Sequence, residues 1–475
     1  MRRRDALKLG LSAGATAVAA ATLGLRAFGS LRAGGSAVVA QLTIAPIDVE
    51  LAPGVTVRSI AFGGTVPGPQ LNRAVGLATL ELRNESDSDT AVHSAAFAEP
   101  LITIPARARA RALLRILNNT PSGAYFKSYR AYCAASGAIA SGTLVEGTER
   151  DGGVSAFDQL QVLSIHRWQP RPIIRTAPFN DTAIAYDYAS FDDKLMSASE
   201  PIKVRYGDRV RFHFSNTSIT RGVTLGLPHH RFLVMALDGH LVPRPRHVER
   251  IYIGPAESID ALVTMDRPGR WILGATHRED RIAGLGRLVE YAGATGTPVE
   301  SEYGIADWDY TEFGAAAAHA APTSTRLAAP PLSLSLSLSL QPIQSLAIRD
   351  PQLSDPSPRT AALPLKLSAG KRYRLATINF TRDPQSLQLL NHQVELVCVA
   401  GQRTAGVCKD VVTLPSFTRI EFEFIARTNE VFLAHNRQVS VEGMLTMSRP
   451  IYQRFDSSSQ KAPEALTWAY SSGGT

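Results

Sequence analysis

Val204-Arg205-Tyr206-Gly207-Asp208-Arg209-Val210-Arg211-Phe212-His213-Phe214-Ser215-Asn216 is a Gly-bearing turn followed by a strand that ends on Asn. Its alternating apolar side chains fit a half-buried β-strand, because successive side chains of a strand leave on opposite faces. The pattern returns on both sides. Val66-Pro67-Gly68-Pro69 precedes Ala74-Val75-Gly76-Leu77-Ala78-Thr79-Leu80-Glu81-Leu82-Arg83-Asn84, and Leu367-Ser368-Ala369-Gly370-Lys371-Arg372-Tyr373-Arg374-Leu375 is the third copy. A chain of 475 residues is too long for one ordinary core, and three copies at about 150 residues each suggest three domains. With 36 Gly, 29 Pro and only 7% aromatics, the composition favours short strands broken by turns over helical bundles. The expectation is an all-β chain.

The start, Met1-Arg2-Arg3-Arg4-Asp5-Ala6-Leu7-Lys8 followed by a small-residue apolar run to about Leu25, reads as an export leader. It resembles the twin-arginine consensus, with Ala6 where Phe is commoner. The run is too weakly apolar for a stable membrane span, which favours cleavage after Val38-Val39-Ala40 over an uncleaved anchor. The expected divisions are a leader at 1–40, domains at 41–155, 156–300 and 342–455, a linker at 301–341 and a tail at 456–475. Within the linker, 315–329 is rich in Ala, Thr and Pro. The Leu/Ser alternation from Leu332 to Leu340 is either an edge strand or a low-complexity run, its period of two favouring the strand.

Three cysteines, Cys133, Cys398 and Cys408, make no disulfide framework. Cys398 and Cys408 flank what reads as a hairpin turn, so a cross-strand disulfide is open. The net charge of +8 includes the leader arginines and is otherwise scattered, which argues for a solvated basic surface and against a nucleic-acid stripe. No Gly-rich phosphate loop, nucleophile elbow or His-Glu-x-x-His helix occurs. Asp187, Asp192 and Asp193 read as a solvated loop.

Several stretches together resemble the multicopper oxidase family over about residues 44 to 450. In the middle domain these are Arg231-Phe232-Leu233-Val234-Met235-Ala236-Leu237-Asp238-Gly239, Val242-Pro243-Arg244-Pro245, Gly254-Pro255-Ala256-Glu257 and Arg267-Pro268-Gly269-Arg270-Trp271. In the third domain Lys409-Asp410-Val411-Val412 and Gly443-Met444 follow suit. The resemblance implies three cupredoxin-like Greek-key β-sandwich domains. It also implies a blue copper held by a Cys thiolate, two His and a weak axial ligand, wired to a three-copper cluster held by imidazoles.

Those ligand positions are mostly lost. The first His-x-His falls on Ala91-Val92-His93-Ser94-Ala95, keeping only His93. The second falls on Phe126-Lys127-Ser128-Tyr129-Arg130 and keeps neither. The His-Pro-x-His-x-His motif aligns with Gln385-Ser386-Leu387-Gln388-Leu389-Leu390, before Asn391-His392. The last motif aligns with Leu433-Ala434-His435-Asn436-Arg437-Gln438-Val439, where Ala434 replaces the thiolate and His435 remains. Met444 matches the axial position. Without the thiolate, electrons have no usual way in, while Arg130 is expected to point toward the copper positions and repel metal, with Leu390 and Leu433 filling the space. His93, His435 and Met444 are then vestigial metal positions, either satisfied interface residues or a reduced single-metal site. His229-His230 points to opposite faces, and Asp238-Gly239 and Asp410 read as turn and strand-pairing residues.

The expected function is non-catalytic, with no cofactor: an exported periplasmic or extracellular binding or scaffold protein whose partners are envelope proteins, including an intact oxidase paralogue. In kind it is similar to copper-free division proteins of the SufI/FtsP type. The competing expectation is an oxidoreductase of the same family with an altered metal site.

Overall fold

The computed structural model describes residues 38–315, apart from 73–76, 100, 115–124, 134–135, 137, 147–155, 176–180, 219 and 305. Beyond that it describes 332–334, 336–340, 363–379, 384–390, 392–435, 438–439, 445–446 and 451–454. The leader before residue 38, the segment 316–331 and the tail lie outside the described residues. Among the described residues, no helix is long and apolar enough to cross a membrane.

The chain is all-β, built as three cupredoxin-like sandwiches. In the first, a sheet ordered Val55–Phe62, Val38–Ala52, Leu77–Asn84, Arg109–Leu113 faces one ordered Leu71–Asn72, Ile139–Glu146, Tyr125–Cys133, Thr90–Ser94, Leu101–Ile104. In the second, Gln159–Arg175, Arg209–Asn216 and Ser258–Thr264 form the middle of one sheet, and Gly286–Tyr291, Arg270–Ala275 and Val223–Gly226 the middle of the other. The third repeats the plan around Arg372–Asn379 and Arg419–Ile425.

The threefold sequence pattern has a physical basis. In each sandwich the Asn-ending strand pairs in parallel with the strand that opens the domain: Leu77–Asn84 with Val38–Ala52, Arg209–Asn216 with Gln159–Arg175, Arg372–Asn379 with the Leu/Ser segments Leu332–Leu334 and Leu336–Leu340. The terminal Asn side chains are fully buried in all three. Asn84 Nδ2 donates to the carbonyls of Ser88, Ile104 and Pro105, Asn216 Nδ2 to those of Arg221, Ile253 and Gly254, and Asn379 Nδ2 to those of Leu414 and Pro415. One amide thus satisfies carbonyls that leave the ladder where the chain crosses between sheets.

Two boundaries differ from expectation. The opening strand starts at Val38, so Val38–Ala40, assigned above to the leader, pair with Leu77–Leu80. The stretch read as linker carries structure at both ends, because each end can complete something. Leu332–Leu340 supplies the opening strand that the third sandwich otherwise lacks, and Asp309–Ala315 packs as a strap with Tyr310 and Phe313 buried.

Candidate functional site

The four motif stretches come together as two strand pairs. Thr90–Ser94 lies beside Tyr125–Cys133 with His93 opposite Arg130, and Gln385–Leu389 lies beside Glu430–His435 with Leu387 opposite His435 and Gln388 opposite Ala434. Each pair joins two stretches that align with copper motifs, and the test of fit falls on their side chains.

They do not fit copper. Ser94 Oγ donates to the Ser128 carbonyl at 2.9 Å and accepts from the Ala96 amide, closing the end of the first pair. Ser386 Oγ is 3.0 Å from the Pro255 carbonyl and 3.1 Å from Thr413 Oγ1. Leu387, Leu389 and Leu390 are buried. His392 Nδ1 meets the Leu390 carbonyl at 2.7 Å and its Nε2 accepts from the Arg427 amide at 2.9 Å, which commits both ring nitrogens. Among the described residues, no three His, Cys, Asp or Glu side chains stand together in a metal-holding group. His93 is half-buried. Met444 lies outside the described residues, as does the side chain of His435.

Arg130 departs from the expectation that it would point toward the copper positions. Its guanidinium enters the second sandwich, where Nη2 donates to the Ala256 carbonyl at 2.9 Å and the Asn216 carbonyl at 3.4 Å. Burial lowers its pKa to about 10, opposed by the charge of Asp238, so it stays cationic at neutral pH.

Other residues singled out above find ordinary places. His229 sits exposed in a turn at φ +60°, while His230 is buried with Nδ1 near the Pro228 carbonyl and Nε2 2.6 Å from the Tyr291 hydroxyl. The expected hairpin joins Val394–Val399 to Gln402–Lys409, but Cys398 pairs with Arg403 and Cys408 with Glu395, so the two cysteines sit about 10 Å apart along the ladder. Both are free thiols, that of Cys408 pushed up to about 11 by burial. Asp192 is no solvated loop residue: its Oδ1 accepts from the Ser164 amide and Arg287 lies 3.5 Å from Oδ2.

What the site does contain is a charged junction of all three sandwiches. Lys127 of the first donates to the Asp238 carbonyl of the second at 2.6 Å and to Asp410 Oδ2 of the third at 2.6 Å. His240 Nε2 lies 3.0 Å from Lys127 Nζ and 2.8 Å from Asp410 Oδ1. Lys127 and His240 hold the Asp410 carboxyl far below its usual range against the cost of burial. Beside it, Lys409 is 1% exposed, with Nζ 3.1 Å from Asp238 Oδ2 and 3.0 Å from Glu257 Oε1. The strap's Tyr310 donates its hydroxyl to Glu257 at 2.9 Å and lays its ring beneath the Lys409 ammonium.

Local backbone sets these positions. Asp238 and Gly239 make a turn at φ +50° and +74°, and a Cβ on Gly239 would strike the Phe126 carbonyl, so glycine lets the first sandwich approach. Asp238 then accepts from the Ser258 amide through Oδ1 and from the Asp410 and Val411 amides through Oδ2. Asp238 takes the turn role read for it, whereas Asp410 lies in the bend after Gln402–Lys409 and pairs with no strand; each carries a charge to a neighbouring sandwich. Sequence reasoning missed Lys127, His240, Glu257, Lys409 and Tyr310 as one group. The arrangement ties the three domains to one another, with Lys127 reaching the Asp238 carbonyl and Asp410, and Lys409 reaching Asp238 and Glu257.

The comparisons agree with this picture. Residues 137–290 match the family profile described as Multicopper oxidase. A curated relative, Multicopper oxidase MmcO of Mycobacterium tuberculosis, is 24% identical over 265 residues, 55% of this chain and 50% of the relative, so the chain's match spans about half the length of that protein. Among solved structures, a multi-copper oxidase from Pseudomonas thermotolerans superposes with a TM-score of 0.58 at 19% identity, covering 86% of this chain and 97% of the other. Lac15 from a marine microbial metagenome superposes at 0.55 with 18% identity, covering 87% and 98%. These likenesses carry the fold across about 87% of the chain and the family profile across residues 137–290. Its middle third matches the multicopper oxidase profile and its fold is that of multicopper oxidases, while the side chains at the positions that align with copper ligands depart from the family pattern.

Proposed function

We propose that this chain is a copper-free, non-catalytic member of its family, exported by the twin-arginine route to the periplasm or cell exterior. There it serves as a binding or scaffold protein for other envelope proteins, an intact oxidase among them. The observation that carries this reading is the chemistry of the former ligand positions. Ala434 stands for the thiolate, Arg130 reaches into the second sandwich, Gln385, Gln388 and Leu390 stand for the imidazoles of the third motif, and beside these positions Ser94, Ser386 and His392 are committed to hydrogen bonds within the protein.

The junction supports the same reading. Lys127, Asp238, Lys409 and Asp410 hold the three sandwiches together with side-chain charges, so their docking needs no metal. The leader arginines at Arg3-Arg4 support export. The mature surfaces then carry the function.

The test is metal analysis of the full chain, folded and exported in copper-rich medium, with oxygen uptake followed alongside. We expect no stoichiometric copper, no thiolate–copper absorption and no oxygen consumption with phenolic or metal-ion reductants. Copper bound at a fixed ratio, together with oxygen reduction, would favour the altered-site oxidoreductase and sink this proposal.

A further inference from the structure

At the opening of the second sandwich lies a cleft of about 730 Å³, within the range of about 300–1,000 Å³ typical of small-ligand sites. Asp158, Gln159, Lys203, Arg205, Asp208 and Glu290 line it, and the chain at 291–294 forms one wall. The two cations offset the carboxylates, and Glu290 also pairs with Arg270 at 3.0 Å, so the rim is close to neutral. Asp158 Oδ2 accepts from the Arg209 amide at 2.8 Å. Asp208 Oδ2 accepts from Gln159 Nε2 at 3.0 Å and from the Arg205 amide at 2.8 Å. Each of these carboxylates is thereby fixed through one oxygen, and the other has no protein partner among the described residues. Lys203 and Arg205 are exposed.

Tyr206 stands between two lining residues, Arg205 and Asp208, on a turn shaped by Gly207 at φ +89°. It is 72% exposed, and its phenol is near enough to Tyr291 on the wall to act on it electrostatically. A single exposed aromatic is ordinary on a protein surface. Here it borders a cleft whose carboxylate acceptors, Asp158 and Asp208, are held in place.

An apolar ligand would strand those polar groups at a cost, and a strongly charged one would meet opposition from one half of the rim. A neutral polyhydroxylated ring meets neither objection. Its hydroxyls can donate to the free carboxylate oxygens and accept from Lys203 and Arg205, while its C–H face covers an aromatic ring. We propose that this cleft is a saccharide-binding site, in which a neutral pyranose of an oligosaccharide stacks on Tyr206 and shares its hydroxyls with Asp158, Asp208 and Lys203. The proposal deepens the reading of the chain as a binding protein and fails separately from it, because metal content decides that reading and has no bearing on this one.

The full chain should be titrated by calorimetry and saturation-transfer NMR with cello-, chito- and malto-oligosaccharides. The expected result is saturable binding of at least one series, weakened at least tenfold by Tyr206→Ala and also weakened by Lys203→Ala. Both side chains face solvent, so circular dichroism and melting temperature should be unchanged. Absence of binding to all three series would overturn the proposal. So would equal binding by both variants, or displacement by inorganic phosphate or free amino acids in preference to neutral sugars.

Discussion

The second and third sandwiches share one continuous apolar core, running from Phe212 and Leu273 through Phe313 to Leu396 and Phe422, whereas the first keeps a core of its own around Leu42, Leu80 and Tyr129. The first meets the second through two small apolar clusters, one around Trp168, Val49 and Leu51, the other pairing Phe126 and Val145 with Leu160 and Val162. Polar contacts add to its attachment, among them those of Lys127, Arg130 and His166 and those of Lys194 and the Leu195 amide with the Glu50 and Leu51 carbonyls. Apolar contact is non-directional and scales with area, while buried ion pairs stabilise only when every charge is matched. The second and third sandwiches should therefore behave as one unit, with the first attached by a more specific and more easily broken joint.

The largest effect is expected where charge is buried inside the apolar unit. Lys409→Met leaves Asp238 and Glu257 facing each other uncompensated and should cost about 3–5 kcal/mol in a denaturant titration. A loss below about 1 kcal/mol would mean that the pair is dispensable. Asn216→Ala strands the buried carbonyls of Ile253 and Gly254 and should cost roughly 3 kcal/mol, with Asn84→Ala similar in the first sandwich. Unequal costs would break the equivalence of the repeats.

The joint itself should be sensitive to acid. His166 packs between Ser141 of the first sandwich and Thr217 of the second, and burial, with the Arg130 cation adding to it, lowers its pKa to about 3. The folded protein refuses a proton that the unfolded chain accepts below about 6.5. Stability is then full above that pH and falls as pH drops toward 3, by about 1.4 kcal/mol per pH unit for one proton. Asp192 acts in the opposite sense. Burial pushes its carboxyl up to about 6 against the pull of Arg287, so its contribution is present below about 4 and lost as pH rises through 6. The two slopes oppose each other between about 4 and 6. Asp192→Asn should expose the histidine slope, with unfolding scans losing stability from near pH 6, and His166→Gln should abolish it.

The smallest effect falls on Lys127, whose ion pair with Asp410 is partly open to water. Lys127→Met should cost about 1–2 kcal/mol and speed hydrogen exchange at Tyr125–Cys133 while leaving Arg372–Asn379 unchanged. Equal acceleration in both strands would show that the first sandwich is no more detachable than the others.

Much of this molecule was legible because it is local. The alternation before Asn84 and Asn216 marks strands, and both stretches form strands that end on those Asn. The junction was not legible. Lys127 meets residues 111, 113 and 283 positions away, and no periodicity relates such distant charges. The side-chain direction of Arg130 was misjudged for a related reason: a strand assigns a face, but the carbonyls that capture a guanidinium belong to another sandwich.

By itself, the sequence determined the all-β class, the threefold repeat and the loss of the copper ligands. These follow from residue type and short-range period, which survive without coordinates. Only the tertiary structure decided that the Leu/Ser run is the third sandwich's opening strand, that the supposed linker straps the junction, and that Lys127, Asp238, Lys409 and Asp410 form one network. Those outcomes depend on which distant groups meet at about 3 Å, and chain folding sets that, not the order of the residues.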